Sequence, residues 1–164
     1  MKQLAIVALA LLPQMALADG IQIEGNVAAK CIIRTDRTGV YGNPTPSKLS
    51  TTPADGGVTP SIRYDVALAG YYIARITHPT SFSTSPTLTD TVTWAGGSSV
   101  SNVSDPDMSA YDADKVEYDA TTEFDLTTAG TTFFKVDSTA EYGYNKAFPA
   151  GTYRAIIQAE CIAK

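Results

Sequence analysis

The sequence predicts an all-β domain, either a sandwich or a barrel. Short runs in which apolar and polar residues alternate are separated by turn residues along most of the chain. Gly, Pro, Ser and Thr are spread throughout, and no segment after residue 18 shows the helical period of apolar residues. Alternation with a period of two is typical of strands that bury one face, and its repetition in short runs favours a sandwich or a barrel.

The first 18 residues predict an export signal. Lys2 supplies a positive start, residues 4–12 are apolar, and Ala16-Leu17-Ala18 is a small-x-small cleavage site. The apolar run is shorter than the roughly 20 residues that a membrane helix needs. We therefore expect residues 1–18 to be removed, and the mature chain to be soluble after export and not inserted in a membrane.

The mature chain, of roughly 145 residues, suits a single domain with a sizeable core. The formal net charge of the whole sequence is −5, and loss of Lys2 with the signal makes the mature chain one unit more negative. An acidic chain with scattered cations argues against a nucleic-acid partner and against an anionic membrane surface.

The mature chain opens with a segment, residues 19–29, that predicts an extended strand with one apolar face. That face consists of Ile21, Ile23, Gly25 and Val27, and polar residues alternate with them. A strand with one apolar face needs a groove to fill. The groove can belong to its own domain or to another molecule, and the sequence leaves both alternatives open.

The runs that follow predict strands over residues 62–68, 71–77, 91–94, 116–118, 124–126, 131–136 and 153–162. In the last strand one face carries Tyr153, Ala155, Ile157, Ala159 and Cys161. The Ala-Gly-Gly-Ser-Ser stretch over residues 95–99 predicts a turn. Residues 36–60, rich in Pro and Gly, predict a long exposed loop with at most a short edge strand, and residues 97–111 predict irregular structure.

The two cysteines, Cys31 and Cys161, predict a disulfide bond, because an even pair in an exported chain most simply pairs. The bond would join the start of the domain to its last strand and close a loop of about 130 residues. Two free thiols are the alternative.

No catalytic residue, metal or cofactor is expected. The single histidine, His78, is expected on the surface or in a loop, because no Gly-x-Ser-x-Gly elbow accompanies it; an exported hydrolase would need it beside a serine and a carboxylate. The acidic run at Asp105, Asp107, Asp112, Asp114 and Glu117 departs from the helix-loop-helix calcium pattern, since Ala110 stands where Gly is required. A solvated acidic loop is the expectation.

Two ends of the chain resemble subunits of chaperone–usher pili. The first is Ile-x-Ile-x-Gly-x-Val followed by Ala-Ala-Lys-Cys31, which resembles the N-terminal extension of such pilins. The second is Phe148-Pro-Ala-Gly-Thr-Tyr153 followed by the alternating terminal strand. Between them, Phe124-Asp-Leu-Thr-Thr-Ala-Gly130 resembles the polar turn before a penultimate strand in the same families.

The resemblance implies an immunoglobulin-like β-sandwich over residues 30–164 that lacks its last strand. A periplasmic chaperone would lend a strand, and the N-terminal extension of an identical or related subunit would replace it at the outer-membrane usher. Residues 19–29 would then be the donor strand, with Ile21, Ile23, Gly25 and Val27 filling an acceptor groove. That groove would lie beside Tyr153, Ala155, Ile157 and Ala159.

The leading hypothesis is therefore a structural subunit of a bacterial surface fimbria, serving adhesion or biofilm formation. The alternative is a monomeric exported β-sandwich that binds a carbohydrate or a receptor, with Trp94, Tyr111 and Tyr142 as exposed contact candidates. One feature departs from common pilins, in which both cysteines lie in the early strands. Here Cys161 lies in the last strand, so the sandwich would be either a divergent pilin or closed.

Overall fold

The computed structural model describes residues 31–164, so the predicted export signal and the predicted donor segment, residues 19–29, lie outside the described residues. The strands of this part of the chain are β1 (Cys31–Arg37), β2 (Gly42–Thr45), β3 (Lys48–Ser50), β4 (Ser61–Val66), β5 (Tyr72–Thr77), β6 (Val92–Val103), β7 (Val116–Tyr118), β8 (Thr121–Leu126), β9 (Gly130–Tyr142) and β10 (Gln158–Ala163). Short 3₁₀ turns cover Pro53–Asp55 and Pro106–Ala110, and a single helical turn, α1, covers Tyr111–Asp114. None of the helical segments within residues 31–164 has the length and apolar character needed to span a membrane.

The strands form two antiparallel sheets, which confirms the predicted all-β architecture. The larger sheet has the order β1-β4-β9-β3-β2. β4 and β3 both pair with one edge of β9, and β6 pairs with the opposite edge of β9. The smaller sheet has the order β10-β5-β8-β7. The 13-residue β9 organises the larger sheet, because its first half pairs with β4 and its second half with β3, while β6 accompanies nearly its whole length.

The core lies between the two sheets and is built from the inward faces of their central strands. Tyr64 and Phe134 of the larger sheet pack edge to face, with ring centroids 5.5 Å apart. Phe124 of the smaller sheet packs on Phe134 at 4.3 Å. The Tyr64 hydroxyl donates to the carbonyl oxygens of Arg75, at 3.3 Å, and Glu160, at 3.1 Å. This buried side chain therefore ties the larger sheet to two strands of the smaller one.

The predicted turn at residues 95–99 is wrong, because these residues lie in the middle of the 12-residue β6. Gly96 faces the central strand so closely that a Cβ there would lie 2.4 Å from the Asp137 carbonyl oxygen and 3.0 Å from the His78 ring. Glycine at this position therefore lets β9 and His78 lie close to the backbone of β6. Close approach of another backbone is one of the reasons for a glycine within a strand.

Two segments predicted as irregular are more ordered than expected. Residues 36–60 contain β2 and β3, and Leu49 and Ser50 of β3 are buried because that strand pairs with β9. Residues 97–111 contain the end of β6 and the 3₁₀ turn Pro106–Ala110, which is capped by Asp105, whose side chain accepts from the Asp107 amide. Met108 and Tyr111 of this region are buried in the core.

We predict that Tyr64→Phe lowers the free energy of unfolding by about 1 kcal/mol, because it leaves two inter-strand carbonyls without their donor while the ring is kept. Urea unfolding of the mature chain measures the change. Tyr71→Phe is the matched control: its side chain is 61% exposed, so its effect should be far smaller. Equal effects of the two substitutions would contradict the assigned role of the Tyr64 hydroxyl.

Candidate functional site

An open groove runs along one side of the molecule, between the edge of the larger sheet and the C-terminal segment. We call it the edge groove, and it consists of two adjoining cavities of about 430 and 750 Å³. Both cavities include Thr38 and Gly39, so they are continuous. One wall is formed by residues 33–41 and the other by residues 153–159.

The four residues predicted to line an acceptor groove lie in the edge groove. Tyr153 and Ala155 line the larger cavity, and Ile157 and Ala159 line the smaller one. All four are half-buried, and the residues between them are exposed. A sandwich face that is fully covered buries such residues completely, as β4 and β9 do. The groove therefore leaves the inward face of this segment partly uncovered.

The terminal strand is shorter than predicted, since β10 begins at Gln158 and not at Tyr153. Gln158 pairs with Thr77, which is the last residue of β5, so the preceding residues have no strand beside them. Of residues 152–157, only Arg154 makes main-chain hydrogen bonds within the described chain, to Ser83 and Thr84. The other main-chain groups of this stretch are unpaired, which is the condition for pairing with an added strand.

The opposite wall also offers a free backbone edge. β1 pairs with β4 on one side and with no other strand of the described chain. Thr38 and Gly39, which follow it, make no main-chain hydrogen bonds within residues 31–164. Ile33 of β1 and Ile62 of β4 supply apolar surface at the groove floor. These two residues were not predicted to line the groove. The sequence offered one sign for Ile33: it lies two positions after Cys31, and so on the same face of a strand.

A disulfide bond closes the narrow end of the groove. Cys31 at the start of β1 is bonded to Cys161 in β10, with Cα atoms 6.4 Å apart, so the predicted pairing is confirmed. β1 and β10 belong to different sheets and share no hydrogen-bonded ladder. The disulfide therefore fixes the distance between the two walls at this end.

Aromatic rings pack at the wide end of the groove. Phe82 contacts Tyr41 and Tyr153, with centroid distances of 6.3 and 5.1 Å. The Tyr41 hydroxyl is hydrogen-bonded to the Ser138 hydroxyl at 2.9 Å, and Tyr153 donates to the Pro149 carbonyl at 2.7 Å. Desolvation by burial raises the pKa of both tyrosines, so both hydroxyls stay neutral. Arg154 is the charged residue that lines this cavity.

Several other candidates lie elsewhere and differ from expectation. His78 lies in the loop that follows β5, which is one of the two expected placements, but it is buried, with 8% of its surface exposed, because it packs beside Gly96 of β6. Tyr111 and Tyr142, offered as exposed contacts for a binding module, are 4% and 3% exposed. Trp94 is half-buried and packs on Phe82 at 4.7 Å. None of these three aromatics therefore forms an exposed binding platform.

The acidic run from Asp105 to Glu117 is occupied by local contacts. Asp112 accepts from the Val100 amide at 2.9 Å, and Glu117 pairs with Lys115 at 2.7 Å. Lys115 also donates to the Ser98 carbonyl, so this segment covers part of the outer edge of β6. Among residues 31–164, no group of three or more His, Cys, Asp or Glu side chains is placed to hold a metal ion.

Comparison of the chain with protein-family models, with curated proteins and with solved structures finds no significant match. The function is therefore inferred from the geometry of the groove and the chemistry of its walls.

We predict that replacing both cysteines by serine lowers the free energy of unfolding by about 2–5 kcal/mol, because the bond closes a long loop and joins two strands that share no ladder. Urea unfolding of the oxidised protein and of the double variant measures the loss. Added dithiothreitol should destabilise the wild type to the same level and leave the double variant unchanged. If the oxidised wild type and the double variant unfold at the same urea concentration, and dithiothreitol does not change the unfolding of the wild type, the bond has no stabilising role.

Proposed function

We propose that the protein is a structural subunit of a bacterial surface fimbria, and that the edge groove accepts residues 19–29 of a second subunit. The observation that supports this proposal best is a pair of backbone edges that flank an apolar floor. These edges, at residues 38–39 and 152–157, have no main-chain partners within the described chain except at Arg154. An added strand would hydrogen-bond to these edges and cover the floor. The sandwich would then have the immunoglobulin-like form with one strand supplied in trans.

The chemistry of the donor segment matches that of the groove. Residues 19–29 carry four alternating positions without polar side chains, Ile21 to Val27, and the wall carries four alternating half-buried positions, Tyr153 to Ala159. Each set spans seven residues, or about 23 Å of extended strand. Branched aliphatic side chains suit a groove whose floor is formed by Ile33 and Ile62.

The uncovered floor also explains why a chaperone would be needed before assembly. An apolar groove with free strand edges is a template for unwanted pairing in a solitary subunit. A periplasmic chaperone that occupies the groove until an usher exchanges it for the next subunit removes this hazard. The disulfide suits the same route, because disulfides form and persist in the periplasm.

A monomeric binding module is the second candidate, and in that case residues 19–29 would fill the groove of their own chain. Such a segment would leave Cys31 at the narrow, disulfide end and would have to reverse direction at once to run back along the groove. The two candidates therefore differ in whether the donor segment acts within one chain or between chains.

We predict that two variants complement each other if the donor acts between chains. In the mature chain, Ile23→Asp should disable the donor and Ile157→Asp should disable the groove, so each purified variant stays monomeric. Their mixture should form a 1:1 dimer and no longer species, because only one intact donor and one intact groove can meet. Analytical ultracentrifugation distinguishes these states, and thermal unfolding establishes that each variant is folded.

The matched control is Ile32→Asp, because Ile32 neighbours Ile33 on β1 but faces away from the groove and is 45% exposed. This variant should assemble like the wild type. Ala155→Phe provides a second groove variant that adds bulk without charge, in case Ile157→Asp does not fold. A mixture that remains entirely monomeric, with a wild type that is also monomeric, would reject the fimbrial proposal and favour the monomeric module.

We also predict that a mature chain lacking residues 19–29 forms no fibres, because it keeps a groove but has no strand to donate. Electron microscopy of cells that express the truncated or the full precursor with its assembly partners measures this. Fibre formation by the truncated subunit alone would contradict donation by this segment.

A further inference from the structure

The outer face of the larger sheet carries a second concave surface, which adjoins the edge groove at Arg37. We call it the outer basin, and its volume is about 660 Å³, within the range of small-molecule sites. The residues that matter for its chemistry are Asp36, Arg37, Asn102, Phe133, Lys135 and Asp137. They come from β1, β6 and β9.

Two β-bulges shape the outer basin. Asp36 is an extra residue in β1, between Thr35 and Arg37, which pair with Ile62 and Ser61. Ser101 is an extra residue in β6, between Val100 and Asn102, which pair with Phe134 and Phe133. Both edge strands of this four-strand stretch are thus interrupted at the same level of the sheet. Bulges are enriched beside functional sites, where they redirect side chains.

Each bulge turns one polar side chain to the outer face. A shift of one residue moves a strand position to the opposite face of its sheet. Val100 pairs with the buried Phe134, whereas Asn102, beyond the bulge, pairs with the outward-facing Phe133. In the same way Arg37 pairs with Ser61, whose neighbour on β9 is the exposed Lys135. Without the bulges, Arg37 and Asn102 would point into the core.

The outer basin balances hydrogen-bond donors against acceptors. Arg37 and Lys135 form no ion pair within residues 31–164, so their N–H groups are available to a ligand. Asp36 accepts from the Ser61 hydroxyl, and Asp137 accepts from the Thr59 hydroxyl at 3.1 Å. Each carboxylate keeps further lone pairs, since its two oxygens offer about four acceptor sites. Two cations and two anions leave the basin with no net charge.

Phe133 supplies apolar surface among these polar groups. Its ring is half-buried in the outer face of β9, and the Arg63 guanidinium lies 5.8 Å from its centroid. Arg63 is itself held by Asp65 at 2.8 Å, which fixes the position of the ring's cationic neighbour. The ring therefore lies beside the donors and acceptors of the outer basin, with Arg63 as its cationic neighbour.

We propose that the outer basin binds a neutral saccharide. Sugar hydroxyls both donate and accept, so they can use the carboxylates of Asp36 and Asp137 and the N–H groups of Arg37 and Lys135 at once. The Asn102 amide can do both as well. A C–H face of the sugar ring would pack against Phe133. An ionised ligand of either sign would meet a like charge in this basin, which disfavours it.

The test uses the purified mature chain on an array of neutral and acidic glycans, followed by titration of the ¹⁵N-labelled protein with the best neutral sugar. The expected result is saturable binding, with amide shifts at residues 36–37, 101–102 and 133–137. Lys135→Ala and Asn102→Ala should each weaken this binding about tenfold, because each removes a hydrogen bond to the sugar. Lys146→Ala, at an exposed position that does not line the outer basin, is the matched control and should bind as the wild type.

Three outcomes would overturn the proposal: no glycan bound on the array, binding of acidic glycans only, or binding that Lys135→Ala and Asn102→Ala leave unchanged. The proposal is independent of the fimbrial function. Ile157→Asp, which disables the edge groove, should keep sugar binding, and Lys135→Ala should keep subunit assembly. Failure of one proposal can therefore be told from failure of the other.

Discussion

The bond between Cys31 and Cys161 is the constraint on which the open side of this molecule depends. It joins the edge strand of one sheet to the edge strand of the other, where no hydrogen-bonded ladder does so. Because a covalent bond holds the two edges together at one end, they need not pair along their length. The gap that follows can stay open without separating the sheets, and the Tyr64 hydroxyl supports this arrangement from inside by bonding to β5 and β10.

The edge groove is then a consequence of where β5 ends. β10 pairs with β5 up to Thr77, and beyond that point the chain continues through His78 and Pro79 without forming a strand beside the C-terminal segment. Residues 153–157 keep the alternation of a strand but lack a partner on either side, apart from the bridge at Arg154. The side chains of Tyr153, Ala155 and Ile157 are only half-buried for this reason.

The sequence allowed the fold class, the disulfide and most of the strands to be predicted, because period-two alternation and an even cysteine pair act locally and through simple chemistry. The face of the C-terminal segment was also predicted, since Tyr153, Ala155, Ile157 and Ala159 all turn inward. The failures came from contacts between distant residues. Gly96 was predicted in a turn, because the sequence does not show that Asp137 and His78 lie close to it in space. β3 was predicted as part of a loop, because its pairing with β9 joins residues about 90 positions apart. Burial of Tyr111 and Tyr142 likewise depends on tertiary packing that short-range pattern does not record.

β1 shows how one short strand can serve two surfaces at once. Alternation sends Ile33 toward the edge groove and Arg34 to the outer face, and the free backbone edge of the strand borders the groove. The bulge at Asp36 then reverses the phase, so that Arg37 reaches the outer basin. A strand added along this edge would bond to main-chain groups and cover inward side chains, while the outer face would stay accessible. The proposed subunit contact and the proposed sugar contact are thus compatible on one strand, because the first would use its edge and the second its outward face.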